Sequence, residues 1–277
     1  MAAGDLYHIS GGLKGRHAVA TLAGDHNDYI QVNAHAVARV AANDTVGTYT
    51  AWINLANVTD TSAILCAGDD NVVEFLEFSV EAGLLTVRCT DATVAQFVTQ
   101  ADAVGFVPHT WYHVAVVQRA DGSGVHLYID GQPIASTNDT ATDVDEWYTN
   151  LDGIDTFRIG AANKAGDASV TDDYHGAISK VQYWNLALTD AEVEQDYLGE
   201  AVQAANLQLS MDMVNDLVDA GLGADNGTAV GAILQMSNYS EFTSRLRNDL
   251  AAAPVVADDI SITASDGNGH AIIVKAA

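Results

Sequence analysis

From Ala18 to about Lys180 apolar and polar residues alternate in short runs, and Gly, Asp and Asn interrupt the runs. A period of two sends successive side chains to opposite faces of an extended chain, so this pattern predicts antiparallel strands with one buried face. Strands are expected near residues 18–22, 28–32, 47–55, 61–67, 72–80, 84–90, 110–119, 124–129, 132–137, 155–159 and 175–184. Turn chemistry joins them: Ala82-Gly83, Asp121-Gly122 and Asp130-Gly131 place a glycine where a tight hairpin needs positive φ. One segment departs from the pattern. Thr189 followed three residues later by Glu192 is a capping box and predicts a short helix over 190–199. Alternation returns at 207–213, and a Gly/Asp-rich loop covers 218–228. The stretch 239–250 reads as either helical or extended. The tail carries two β-like runs, 259–264 and 271–274, split by Asp266-Gly267-Asn268-Gly269. About a dozen short strands with one small helix predict an all-β, two-sheet antiparallel jelly-roll sandwich. No period of about 20–50 residues repeats, which excludes a solenoid or propeller.

Composition narrows the function classes. Of the 277 residues 48% are hydrophobic, enough for a substantial core. No run reaches the roughly 18 apolar residues of a membrane helix, so no membrane insertion is expected. The N-terminus lacks the basic start and apolar run of a secretory signal. The formal net charge is -26, from 29 Asp and 8 Glu against 11 basic residues. Lys occurs only at positions 14, 164, 180 and 275. Such a chain has no basic patch to meet phosphates, so a nucleic-acid partner is excluded. It also repels itself unless salt screens the charge. The Asp excess, scarce Lys and abundant Ala together read as a halophilic adaptation. Cys66 and Cys89 fall on strands separated by one more strand, about 10 Å apart, too far for a disulfide; free buried thiols are expected.

Three blocks, in order, resemble the laminin-G-like family of the concanavalin A-like lectin/glucanase superfamily. The first is Gly24-Asp-His-Asn-Asp-Tyr-Ile-Gln-Val32 with Gly47-Thr-Tyr-Thr-Ala-Trp-Ile53. The second is Trp111-Tyr-His-Val-Ala-Val-Val117 with Val125-His-Leu-Tyr-Ile-Asp-Gly131. The third is Phe157-Arg-Ile-Gly160 with the run from Gly176 to Val193, which enters the capped helix. The resemblance covers about residues 18–200. Segment 207–231 is similar to the strand and glycine-rich loop with which many members begin, here placed last. The resemblance therefore implies a sandwich over 18–235, an N-terminal arm over 1–17 and a C-terminal arm over 236–277. Ser179-Lys180 departs from an acidic pair common in the family, which puts in doubt any site those acids build.

The superfamily includes glucan hydrolases, which need two carboxylates facing one cleft. The nearest acids, Glu74 and Glu77, are three residues apart and point to opposite faces of a strand. No nucleophile elbow or His-Glu-x-x-His motif is present, so no catalytic residue and no enzymatic role are expected. The family resemblance implies calcium at a sandwich rim, and calcium takes six to eight oxygens. Asp25, Asn27 and Asp28, and Asp172 with Asp173, are the candidate ligands; with this many aspartates, solvated acidic loops are the competing reading. Trp52, Trp111 and Trp184 are expected in the core, whereas Trp147 and Tyr148 in an acidic stretch are the candidate exposed contact pair. His113 and His126 fall on a predicted hairpin. The chain is expected to be a structural or decoration protein on a virion surface, self-assembling with other particle proteins through its arms. The alternative is an extracellular or cell-surface module binding a host glycan or receptor.

Overall fold

The computed structural model describes residues 28–103, 105–213 and 217–230 in full and five further strands by their backbone. The elements begin with β1 (Tyr7–His8), β2 (Val19–Thr21), β3 (Tyr29–Gln31), α1 (Asn33–Ala42), β4 (Gly47–Leu55), β5 (Ser62–Gly68) and β6 (Phe75–Glu81). Next come β7 (Leu84–Asp91), β8 (Val94–Ala101), β9 (Trp111–Gln118), β10 (Val125–Ile129), β11 (Gln132–Ile134), β12 (Ser136–Ala141), a 3-10 turn (Tyr148–Asn150) and β13 (Thr156–Ile159). The chain continues through β14 (Gly176–Trp184), α2 (Asp190–Tyr197), β15 (Leu207–Met211), β16 (Thr228–Val230), β17 (Ile233–Gln235), β18 (Ile260–Ser265) and β19 (His270–Lys275).

Two eight-stranded antiparallel sheets form the sandwich. The first runs β11-β10-β9-β4-β14-β2-β17, with β15 also paired to β14; the second runs β12-β8-β7-β6-β5-β13-β3-β16. The expected jelly-roll sandwich class therefore holds. Alternation explains the core: Tyr49, Ile53, Val114 and Val116 of the first sheet meet Leu65, Phe78, Val87 and Phe97 of the second. The last described part of the sandwich, 207–235, supplies β15, β16 and β17, and the latter two are edge strands of the two sheets. The tail hairpin β18–β19 forms with Ser265 opposite His270, and β1 pairs with β19 in a separate three-stranded sheet. Residues 236–259, which include the ambiguous stretch 239–250, lie outside the described residues.

The elements outside the sequence pattern are α1, β8 and the short strands β1, β16 and β17. The helix α1 stands over a stretch to which the pattern assigns no element. Its N-cap Val32 offers no side-chain cap, and it is held by tertiary packing of His35, Ala36 and Arg39, one face of the helix. β8 was not expected either, and it lies between β7 and β12. The cysteines behave as the spacing predicts. Cys66 pairs with Glu77 and Cys89 with the adjacent Leu76, so the two thiols lie on opposite faces of the sheet, both buried and free.

Candidate functional site

The two outer faces of the sandwich differ in chemistry. The outer face of the first sheet is apolar and covered. Ala115, Val117, Tyr128 and Trp184 pack there under Leu188, Val193 and Val202 of α2 and its flanks. The predicted capping box forms: Thr189 accepts from the Glu192 backbone N–H while the Glu192 carboxylate reaches back to Thr189. Asp196 then pins the helix to the sheet. Its carboxylate lies 3.0 Å from His113 Nε2 and accepts from Lys180 Nζ at 2.9 Å. Burial alone would raise this carboxyl, yet His113 and Lys180 hold it down at about 2. Lys180 sits at φ 48 in a bulge of β14, which aims its ammonium at the helix. The departure at Ser179-Lys180 is thus a helix-docking device. His113 is spent there, and His126 instead faces Ser123 at 2.9 Å, so the two histidines make no pair.

The outer face of the second sheet is polar. Cross-strand registers place Arg158, Cys66, Glu77, Arg88 and Val98 in one row, and Ala63, Ser79, Thr86 and Gln100 in the next. Loop 160–175 folds over the β13–β5 half of this face. Arg158 holds it by donating to the Ala162, Ser169 and Ala168 carbonyls at 3.1, 2.6 and 3.2 Å. Its tip, Gly166 at φ +69, lies against the β5–β6 loop, where an added Cβ would sit 2.6 Å from the Val72 carbonyl carbon. Beneath the loop Ala63, Cys66, Phe75 and Ala162 form a small apolar cluster. That cover buries Glu77 completely, and burial pushes its carboxyl up to about 7 although Lys164 lies 3.2 Å away. It likewise pushes the Cys66 thiol up to about 12.

The β6–β7–β8 half of the face is open only in part: Arg88 and Gln100 are half-buried there, whereas Ser79 and Thr86 are fully buried. Its strip carries Arg88, paired with Glu81 and about a third exposed, beside Ser79, Thr86 and Gln100. Gln100 Nε2 donates to Thr86 Oγ1 at 3.0 Å, while the buried Ser79 hydroxyl has no hydrogen-bond partner. Sequence reasoning missed this strip. It weighed Glu74 with Glu77, whereas the acids sharing a face are Glu77 and Glu81, four apart on β6. Neither acid is free: Glu77 is buried against Lys164, and Glu81 is bound to Arg88. Glu74 lies on the rim, accepting from the Gly153 N–H at 2.8 Å.

Acidic residues gather at that rim. Burial, then the charges of Asp91, Asp143 and Glu74, pushes the Glu146 carboxyl up to about 7. Among the described residues, no group of three or more His, Cys, Asp or Glu side chains is placed to hold a metal ion. Of the expected calcium ligands, Asp25 and Asn27 lie outside the described residues, and Asp28 is buried at the start of β3. Asp172 is in direct contact with the Lys164 ammonium, which takes the place a cation would fill; Asp173 follows it in the chain. This doublet does not fit a calcium ion.

The expected contact pair is overturned. Trp147 and Tyr148 are both fully buried, because the 3-10 turn folds the chain inward at the end of the core. Trp147 Nε1 donates to Tyr183 Oη at 3.3 Å, and Tyr148 Oη lies 2.5 Å from Tyr49 Oη, which His35 Nε2 meets at 2.9 Å. Gly47 makes room: an added Cβ there would stand 2.8 Å from Trp147 Nε1. These are core hydrogen bonds with no surface to offer a partner. Trp52 and Trp184 are buried as expected, with Trp52 edge-on to His113 and beside Tyr197, whereas Trp111 is only half-buried.

A family model described as the concanavalin A-like lectin/glucanases superfamily matches residues 24–194. No curated protein sequence matches the chain. Among solved structures, the fold is similar to the CBM40 of the Ruminococcus gnavus IT-sialidase, with TM-score 0.53 and 13% identity over 65% of this chain and 96% of that one. It is also similar to a leech intramolecular trans-sialidase, with TM-score 0.51 and 14% identity over 67% of this chain and 28% of that one. The heptameric SAP-like pentraxin of Limulus polyphemus superposes with TM-score 0.50 and 13% identity over 79% of this chain and 93% of that one.

Proposed function

The chain belongs to the concanavalin A-like lectin/glucanase superfamily, and we propose that it is a non-catalytic carbohydrate-binding protein whose glycan lies along the open polar strip of the second sheet. The observation that carries this reading is the asymmetry of the two outer faces. The first sheet is sealed by α2, whereas the second leaves Arg88 and Gln100 half-buried on adjacent strands, over the buried hydroxyls of Ser79 and Thr86. A guanidinium and a side-chain amide offer donors and an acceptor there, which suits a hydroxyl-rich ligand. Two similar structures bear the names of a carbohydrate-binding module and a sialidase, which supports the glycan-binding alternative over a particle-structural role. A role at a cell surface or outside the cell accords with this reading. The absence of catalysis rests on the acids of the strip, since Glu77 and Glu81 are each held by a cation and cannot flank a glycosidic bond together.

Calorimetric titration against a panel of neutral and acidic oligosaccharides tests the reading. At least one should bind, and Arg88→Ala and Gln100→Ala should each weaken it by about tenfold, or about 1.4 kcal/mol, with the circular dichroism spectrum unchanged. Failure of the whole panel, or indifference to both substitutions, refutes the site. Release of reducing ends from any bound oligosaccharide refutes its non-catalytic character.

A further inference from the structure

Lys164 is one of four lysines in the chain, and its surroundings differ from those of an ordinary surface ion pair. Its Nζ is in direct contact with Asp172 Oδ2 and 3.2 Å from Glu77 Oε2. Three features fix this arrangement. The Ala162–Thr171 bridge, with hydrogen bonds of 2.8 and 3.1 Å, lays the two arms of loop 160–175 side by side. Asp172 is held at φ 52, and its carbonyl accepts from Ala63 N at 2.8 Å, so its side chain is aimed by a backbone that cannot relax freely. Glu77 approaches from β6 and is fully buried beside the apolar cluster of Cys66, Phe75 and Ala162; its Oε1 has no hydrogen-bond partner.

We propose that Lys164 and Asp172 condense into an intramolecular isopeptide bond, with Glu77 as the catalytic acid–base group that touches the amine. The Lys164 ammonium gives a proton to the neighbouring carboxylates, and the neutral Nζ attacks Asp172 Cγ. The C–N bond forms, one C–O bond of the carboxyl breaks, and the oxygen leaves as water carrying the displaced protons. Ammonium plus carboxylate becomes amide plus water, with no oxidant, reductant or further reactant. Holding amine and carboxyl in contact supplies the high effective concentration the reaction needs. Partial burial favours the direction: with their side chains 25% and 22% exposed, Lys164 and Asp172 as an ion pair pay part of a desolvation cost that a neutral amide avoids.

The protonation states accord with this chemistry. Burial pushes Glu77 up to about 7, so near neutrality it can both take the amine's proton and return it to the departing oxygen. Burial alone would lower the Lys164 ammonium, but Glu77 and Asp172 outweigh it and hold it above its ordinary value. Arg88 across the strand and the Cys66 thiol are the other ionisable neighbours of Glu77. Lys180 and Asp196 make the instructive contrast. There His113 shares the carboxylate, which stays ionised down to about 2, and no protonated carboxyl is at hand to assist.

The bond does not depend on the glycan reading, because its consequence is structural: it closes residues 164–172, the outer part of loop 160–175, into a covalent ring. Intact-mass spectrometry of the denatured full-length protein provides the test. The wild type should be lighter than its sequence by one water, and protease digestion should yield a branched peptide joining Lys164 to Asp172. Lys164→Arg and Asp172→Ala should each restore the sequence mass. Glu77→Gln should also do so while folded by circular dichroism, although both joined residues remain. A wild-type protein at its full sequence mass overturns the proposal outright, whatever the variants do. A water loss that persists in Lys164→Arg, or maps to another pair, also overturns it.

Discussion

Asp196 shows how much one buried carboxylate can set. It is 2% exposed, faces His113 and Lys180, and is held at about 2 by them against the pull of burial. An acid held below its ordinary value stabilises the fold at every pH above that value, and the contribution disappears as pH falls from about 4 towards 2. The shift corresponds to about 2–3 kcal/mol. Glu77 and Glu146 have the opposite sign: raised to about 7, they favour the folded state when protonated, and that help fades as pH rises through about 7. Urea unfolding should therefore give a stability that climbs from pH 2 to 4 and declines between about 5 and 7. Asp196→Asn should flatten the acid limb and cost about 3–5 kcal/mol at pH 7; an unchanged acid limb would remove Asp196 from the account. Trp147 and Tyr148 make the complementary point at this scale. An acidic neighbourhood along the chain suggested exposure, but only the fold reveals that both rings point inward.

The two helices were not equally legible. α2 carries its own start signal, since Thr189 and Glu192 are three residues apart and meet whenever that turn forms. α1 carries none: its N-cap is Val32, and what fixes it is His35 against Tyr49 together with Asn33 Oδ1 accepting from Phe157 N, contacts 14 and 124 residues distant in sequence. The same contrast gives a prediction. Thr189→Ala removes a local cap and should cost about 1 kcal/mol. Gly131→Ala should cost more, because Gly131 is at φ +77 and an added Cβ would lie 3.0 Å from both Glu194 Cα and Tyr197 Cβ of α2. Thermal unfolding of both variants checks the order; equal losses would mean that α2 does not seat on the β10–β11 turn.

At the scale of the whole molecule the net charge of -26 opposes compaction. Several carboxylates are paired internally with Lys164, Lys180, Arg88 and Arg119, but the rim acids around Glu74 and Glu146 repel one another. Sodium chloride at about 2 M shortens the screening distance from about 10 Å to under 3 Å. The melting temperature should rise by roughly 5–10 °C between about 0.1 and 2 M salt, equivalent to about 2–3 kcal/mol. Scanning calorimetry across that range checks it, and a flat or falling profile would remove self-repulsion as a determinant of stability. The open strip belongs to this scale too. Arg88 and Gln100 come from two strands, and nothing within either of them distinguishes an open face from a covered one.

What the amino-acid sequence determined by itself was whatever depends on neighbours close along the chain. Period-two alternation specified strands such as β4, β9 and β14, glycines specified the turn at Asp130-Gly131, and a three-residue spacing specified α2. One intervening strand, hence about 10 Å, likewise separated Cys66 from Cys89. The tertiary structure decided which outer face is sealed and which is open, that Glu77 lies buried beneath loop 160–175, and that Lys164 meets Asp172 and Glu77 together. Those outcomes turn on the order of strands in each sheet and on which loop crosses which face. Contacts across many tens of residues settle that, and local periodicity carries no trace of them.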